Sequence, residues 1–163
     1  MEPLKETTSG EPGGVSWPHI TLLCAVYAIF ALAGQMLSVR QFDYYPFWLP
    51  AGLFLASLLI AGKKNWVWVA GAAFAVNLIL DMVAGLPFRW TALLTICNMM
   101  SGLFTAWLVV RWVSARPTLS SVQEFYRLVG LAAIGQLSGA TVGAAIACSM
   151  LSDRPFLPVW LSW

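Results

Sequence analysis

Apolar residues along this chain fall into long uninterrupted runs that short polar segments separate. A transmembrane helix needs about 20 predominantly apolar residues, because each residue advances about 1.5 Å and the hydrocarbon core is about 30 Å thick. Five runs approach or exceed that length, at residues 17–39, 47–62, 66–84, 90–113 and 126–151, and a sixth begins at Pro158. The pattern predicts an all-α fold: a polytopic transmembrane helical bundle with five complete spans and the start of a sixth.

The second run, residues 47–62, holds only 16 residues and is marginal for a span. Pro50 fits its first helical turn, where the missing N–H costs no hydrogen bond. Lys63 and Lys64 follow the run, and their long side chains can reach the interface by snorkelling. Tryptophans stand at the ends of the runs, as membrane-interface anchors do, among them Trp48, Trp66 and Trp90.

The composition excludes several classes of protein. Of the 163 residues, 60% are hydrophobic and 10% are charged, against about 25% charged in a soluble domain. A soluble domain of this size buries only about 70% of the surface of its unfolded chain, so it could not hide this much apolar surface. The net charge is +2 and Lys and Arg form no cluster, so nucleic acid is not an expected partner. The expected partner is the lipid bilayer.

Charge also predicts the orientation. Residues 1–16, rich in Gly, Pro, Thr and Glu, are expected to form a disordered cytoplasmic tail before a transmembrane domain at residues 17–163. Counting alternate sides of the predicted spans gives six Lys and Arg on the N-terminal side and three on the other. Cytoplasmic loops carry the excess, so the N-terminus is predicted to be cytoplasmic. The last run stops without a polar tail, and we expect the chain to be a C-terminally incomplete fragment.

Catalytic residues are scarce. The only histidine, His19, lies at the boundary between tail and membrane, and the chain has no metalloprotease, P-loop or dinucleotide-binding motif. Cys24, Cys97 and Cys148 lack the spacing of a metal or redox site. Asp81 is the only acid within a run, so no pair of intramembrane carboxylates is available. This segment is therefore not expected to be an enzyme or to hold a metal or cofactor.

Polar residues inside the spans are the candidate site, because each is costly in hydrocarbon and should face another helix or a cavity. Asn77 and Asp81 are four residues apart and share one face of the third helix. Asn77 and Asn98 lie about 10 Å and about 12 Å from the turn between the third and fourth helices, which predicts a direct hydrogen bond. Gln35 lies near the same membrane surface as Asp81. These residues either pack the helices together or line a ligand-binding cavity open to the outer side.

Small residues recur every fourth position along the fifth helix, which allows another helix to approach closely. They are Gly135, Gly139, Gly143 and Ala147. The partner is expected to be a helix of the same chain, with a homodimer or another membrane protein as the alternative.

One segment is similar to a known family. Trp48-Leu49-Pro50-Ala51-Gly52-Leu53, followed by Gly62, Trp66, Gly71-Ala72 and Asn77, resembles the opening signature of bacterial membrane-associated sensor domains of the MASE family, type one. Asn98, Gly102, Ala106 and Trp107 look like the next family helix. In the shared segment Trp48 would anchor at the interface, and Gly52 would let a neighbouring helix pack against the first turn.

This resemblance implies a sensory input domain in the bacterial inner membrane, placed N-terminal to a cytoplasmic output domain of a histidine kinase or a diguanylate cyclase. It does not imply a ligand. A second hypothesis is a small substrate-binding membrane subunit of a vitamin-type transporter, which also has about six short helices and an outward cavity. A scaffold protein without a ligand is the third.

Overall fold

The computed structural model describes residues 17–36, 49–114, 117–150 and 155–161. These ranges contain helices and no strand, so the all-α prediction is confirmed for them. The helices are α1 (Trp17–Met36), α2 (Leu49–Ala61), a short 3-10 helix (Lys63–Asn65), α3 (Trp66–Val83), α4 (Phe88–Trp112), α5 (Val122–Met150) and α6 (Phe156–Leu161). The predicted tail at residues 1–16 and the anchor Trp48 lie outside the described residues.

Three helical segments of the described chain are long and apolar enough to cross a bilayer. They are Lys63–Val83 with 21 residues, Phe88–Trp112 with 25 and Val122–Met150 with 29. The apolar helices Pro18–Gly34 and Pro50–Ala61 are shorter. At 13 residues, α2 is about 20 Å long, which is less than the hydrocarbon thickness. Five complete spans therefore stay a prediction.

The first four helices form one packed group. α1 contacts α2 and α3, α2 also contacts α3 and α4, and α3 contacts α4. The side chains at the centre of this group are almost fully buried, among them Tyr27, Phe54, Leu58, Val69 and Val109. Large apolar side chains such as Ile60, Val67 and Met100 point outward. Outward apolar side chains fit a bundle whose surroundings are lipid.

α5 and α6 extend this group on one side. Among the described residues, α5 contacts α4 and α6 and no other helix. α5 runs antiparallel to α4, since Gly135 lies opposite Thr105 and Gly139 lies opposite Ser101. The indole Nε1 of Trp160 donates a hydrogen bond to Thr141 Oγ1 at 3.1 Å, which joins α6 to α5. α4 is therefore the helix of this group on which α5 packs.

A tight turn joins α3 to α4 and fixes their pairing. Gly85 has a φ of 87°, a left-handed conformation that favours glycine. The N–H of Gly85 donates to Met82 O, and the N–H of Leu86 donates to Asp81 O, which is the Schellman arrangement at a helix end. α4 begins three residues after Gly85, so the two helices are antiparallel neighbours.

Candidate functional site

Three polar side chains are almost fully buried between α3 and α4, and we call them the polar seam. They are Asn77, Thr91 and Thr95, with exposed fractions of 3%, 0% and 0%. Asn77 follows Val69 and Ala73 at intervals of four, so the helical period directs it into the bundle with them. Thr91 and Thr95 have the same four-residue spacing on α4. The seam therefore arises from ordinary helix periodicity with polar residues at core positions.

One hydrogen bond crosses the polar seam. Asn77 Nδ2 donates to Thr95 Oγ1 at 3.2 Å. The predicted Asn77–Asn98 hydrogen bond was wrong, because α4 begins at Phe88, two residues before the apolar run at residues 90–113. Asn77 lies six residues before the end of α3 (83 − 77), whereas Thr95 and Asn98 lie seven and ten residues into α4 (95 − 88 and 98 − 88). Thr95 is thus the residue at the depth of Asn77.

Two polar atoms of the polar seam have no hydrogen-bond partner among the described residues. They are Asn77 Oδ1 and Thr91 Oγ1, and both are buried. Leaving a buried polar atom unpaired costs about 1–3 kcal/mol. An amide oxygen accepts hydrogen bonds, and a threonine hydroxyl both donates and accepts. The polar seam therefore contains one unpaired acceptor and one unpaired hydroxyl.

The other predicted site residues lie on α1, α3 and α4 at different depths. Asp81 is half-buried one turn beyond Asn77 on the same face of α3. Asn98 is half-buried on α4, about 12 Å farther from the turn than Asp81 along the helix axes. Gln35 belongs to the last turn of α1, and its side chain lies outside the described residues. The structure thus brings Asn77 next to Thr95 and keeps Asp81 and Asn98 apart along the bundle.

Thr91 and Thr95 are the site residues that sequence reasoning missed. A helical threonine can bond a carbonyl of its own helix and is inexpensive in a span, so it indicates a site less strongly than an amide or an acid does. Their four-residue spacing and their closeness to Asn77 across the turn were the available signal. Counting hydroxyls along with amides would have found them.

The glycines of α5 pack against α4. Ser101 Oγ donates a hydrogen bond to Gly135 O at 3.0 Å. A Cβ added at Gly135 would lie 2.9 Å from the Cβ of Thr105, and one at Gly139 would lie 2.6 Å from the Cβ of Ser101. Gly143 is buried on the same helix. The partner helix of Gly135 and Gly139 is therefore α4 of the same chain.

Of the two packing residues predicted in α2, Pro50 and Gly52, only Pro50 is buried. Pro50 is fully buried in the first turn of α2. Gly52 is exposed, and an added Cβ would meet nothing within 4 Å. The predicted close approach of a neighbouring helix at Gly52 is therefore wrong for the described residues. The close glycine contact of α2 is made elsewhere, where Phe54 lies against Gly102 of α4.

The predicted interface anchors are held differently from one another. Trp66 is half-buried, and its Nε1 donates to Leu58 O at 2.8 Å. Trp66 thus ties the start of α3 to α2 in addition to any contact with the interface. Trp90 is half-buried in the first turn of α4. Within the part of the chain that the structure describes, no three His, Cys, Asp or Glu side chains are grouped as metal ligands.

Comparison with known families gives one match, to the family model described as MASE1, over residues 19–163. The chain belongs to the MASE1 family. The match covers the resemblance seen in the sequence and confirms it, so this is a membrane-associated sensor domain. MASE1 is a sensory input domain of signalling proteins and not a catalytic one. Neither the curated proteins nor the solved structures contain a match to the chain.

Proposed function

We propose that this MASE1 domain receives its stimulus at the polar seam and passes it to a cytoplasmic output domain in its parent protein. The output domain would be a histidine kinase or an enzyme of cyclic-di-GMP signalling. The domain would lie in the bacterial inner membrane with its N-terminus in the cytoplasm, as the six-to-three excess of Lys and Arg favours. Family membership favours this proposal over the transporter hypothesis.

The observation that carries the proposal is the pair of unpaired buried atoms, Asn77 Oδ1 and Thr91 Oγ1. If these side chains served packing alone, they would be expected to satisfy each other, as buried polar groups in proteins usually do. A polar ligand that bonds both atoms favours whichever helix arrangement lets it reach them. Asp81 follows Asn77 by one helical turn and lies closer to the end of α3. Its carboxylate would line the mouth of the site. Gln35 and Asn98 are further proposed lining residues.

α4 is the proposed route of the signal. One face of α4 carries Thr91 and Thr95 against α3, and another carries Ser101 and Thr105 against α5. A shift of α4 relative to α3 would therefore move the surface on which α5 rests. The close contacts at Gly135 and Gly139 allow few intermediate positions, so α5 would change position with α4. Because α4 spans from the seam to the opposite end of the bundle, such a shift reaches both membrane surfaces.

The test uses the full-length parent protein and its own stimulus response. Asn77→Ala, Thr91→Val and Asp81→Asn should each change the dose response at an unchanged level of protein in the membrane. Asn65→Ala is the matched control, because Asn65 lies at the opposite end of α3 and bonds Ala61 O. If all three seam variants match the wild-type dose response, the polar residues pack the helices and the stimulus acts elsewhere.

A further inference from the structure

A cleft opens at the end of the bundle opposite the polar seam. It has a volume of about 520 Å³ and lies where the end of α2, the start of α3 and the end of α4 meet. This volume is within the range of about 300–1,000 Å³ found for small-molecule sites. The lining is mainly apolar, with one charged side chain at the rim, and comprises Leu58, Leu59, Gly62, Lys63, Trp66, Val110 and Ser114.

The walls of the cleft are held in place by a hydrogen bond, a glycine turn and core residues. The hydrogen bond from Trp66 Nε1 to Leu58 O holds two of its walls together. Gly62 has a φ of 75°, which turns the chain sharply between α2 and the 3-10 helix and brings Lys63 to the rim. Leu58 is fully buried and Leu59 nearly so, so the floor of the cleft is core. An occupant would therefore meet apolar walls inside and an ammonium group outside.

Positive charge dominates this end of the described structure. Lys63, Lys64 and Arg111 are exposed here, and Arg127 lies at the same level because α5 runs antiparallel to α4. Glu124 is the only acid at this end among the described residues. Its carboxylate accepts hydrogen bonds from the backbone N–H groups of Thr118 and Ser120, at 3.0 and 3.1 Å, and is thereby held at the linker before α5.

We infer that the cleft binds an anionic phospholipid, with the phosphate at Lys63 and Lys64 and the first part of an acyl chain between Leu59, Trp66 and Val110. An apolar slot beside a cationic rim at the membrane surface matches the two halves of such a lipid. A zwitterionic lipid would fill the slot equally well but would gain less from the lysines. The orientation proposed above places this lipid in the cytoplasmic leaflet, next to the output domain.

The experiment measures lipid retention by native mass spectrometry of the purified protein in detergent. Phosphatidylglycerol and phosphatidylcholine with identical acyl chains are titrated in parallel. The wild-type protein should retain phosphatidylglycerol at lower concentration, and Lys63→Gln should reduce this preference about fivefold. Arg89→Gln is the matched control, because it removes one positive charge at the opposite end of the bundle and should leave the preference unchanged.

A second pair of variants tests the cleft independently of charge. Val110→Phe fills the slot from α4, and Ser114→Leu fills it from beyond the end of α4, so that one remains informative if the other fails to fold. Each should reduce retention of both lipids, while circular dichroism reports unchanged helix content. If Lys63→Gln acts and neither filling variant does, the lysines attract lipid only as a charged surface and no cleft site exists.

Inorganic phosphate distinguishes a headgroup site from a lipid site. Phosphatidylglycerol retention in millimolar phosphate should stay within twofold of its value without phosphate, because the acyl chain supplies part of the binding free energy. Displacement of the lipid by phosphate would overturn the proposal in favour of a soluble anion site. Equal retention of the two lipids by the wild-type protein would overturn it as well.

Discussion

Asn77 of α3 and Thr95 of α4 meet in the interior between the two helices, where Asn77 Nδ2 donates a hydrogen bond to Thr95 Oγ1 at 3.2 Å. This is a side-chain hydrogen bond between two antiparallel helices whose turn holds them side by side. It leaves Asn77 Oδ1 unpaired. The same contact therefore joins α3 to α4 and leaves one buried acceptor of the amide without a partner.

Thr95→Val should destabilise the bundle, because it removes the partner of Asn77 and leaves the whole amide unpaired. The coupling free energy between Asn77 and Thr95 should be about 0.5–2 kcal/mol, the range of hydrogen bonds between membrane helices. A double-mutant cycle with Asn77→Ala, Thr95→Val and their combination measures it from unfolding in detergent. Asn98→Ala is the comparison within α4 and should show no coupling with Asn77. Additive effects of the first pair would show that the hydrogen bond contributes nothing.

Trp66→Phe should weaken the contact between α2 and α3. Phenylalanine keeps an aromatic ring at this position and removes the Nε1 donor to Leu58 O. Losing a partly buried hydrogen bond of this kind costs about 1 kcal/mol. The midpoint of thermal unfolding in detergent checks the effect. Trp68→Phe is the control, since Trp68 is exposed on the outer face of the same helix. Equal midpoints for the two variants would mean that the hydrogen bond from Trp66 Nε1 to Leu58 O does not stabilise the contact between α2 and α3.

The apolar runs predicted the helices well, because a span is specified by length and hydropathy alone. The boundaries were less accurate, and a shift of two residues at the start of α4 changed the partner of Asn77 from Asn98 to Thr95. Sequence distance gives depth along a helix but not its exact start, which the turn at Gly85 determines. Of the polar seam, the sequence therefore predicted Asn77 as a contact between α3 and α4 and missed both threonines.

The packing of glycines was predicted in part. A stripe such as Gly135 and Gly139 has the period of a helix face, so its close contact can be read from spacing. The surroundings of Gly52 could not be read from spacing, since a single glycine does not indicate which side of α2 meets a neighbour. The cleft beside Lys63 was also beyond the sequence, because two segments far apart in the chain, residues 58–66 and 110–114, form its walls.

The predicted orientation can be tested with single cysteines in a background without the three native ones. A cysteine at position 88 should react with a membrane-impermeant maleimide added to intact cells, and one at position 64 should react only after permeabilisation. The reason is that the segment Lys63–Val83 is long enough to cross, so its ends lie on opposite sides. The reverse pattern would contradict the predicted orientation. Labelling of both positions in intact cells would show that this segment does not span.

The last prediction concerns the contact between α4 and α5, which the proposed signal must cross. Gly139→Ala should destabilise the protein by about 1–3 kcal/mol, the usual cost of overpacking. The added Cβ would lie 2.6 Å from Ser101 Cβ, and the helix backbones limit how far either can move. Gly130→Ala is the matched control on the same helix, because a Cβ there meets nothing within 4 Å.

Exchanging the two residues separates crowding from other effects of the substitution. In the double variant Gly139→Ala with Ser101→Gly, the new Cβ takes the space that Ser101 vacates, since the Cα of Ser101 would still be 3.9 Å away. The double variant should recover part of the lost stability, although it also loses the bond from Ser101 Oγ to Gly135 O. The midpoints of thermal unfolding of the wild type, Gly139→Ala, Gly130→Ala and the double variant measure this recovery. If Gly139→Ala is as stable as Gly130→Ala, then α5 does not pack on α4 at this contact, and the route from the polar seam to α5 fails with it.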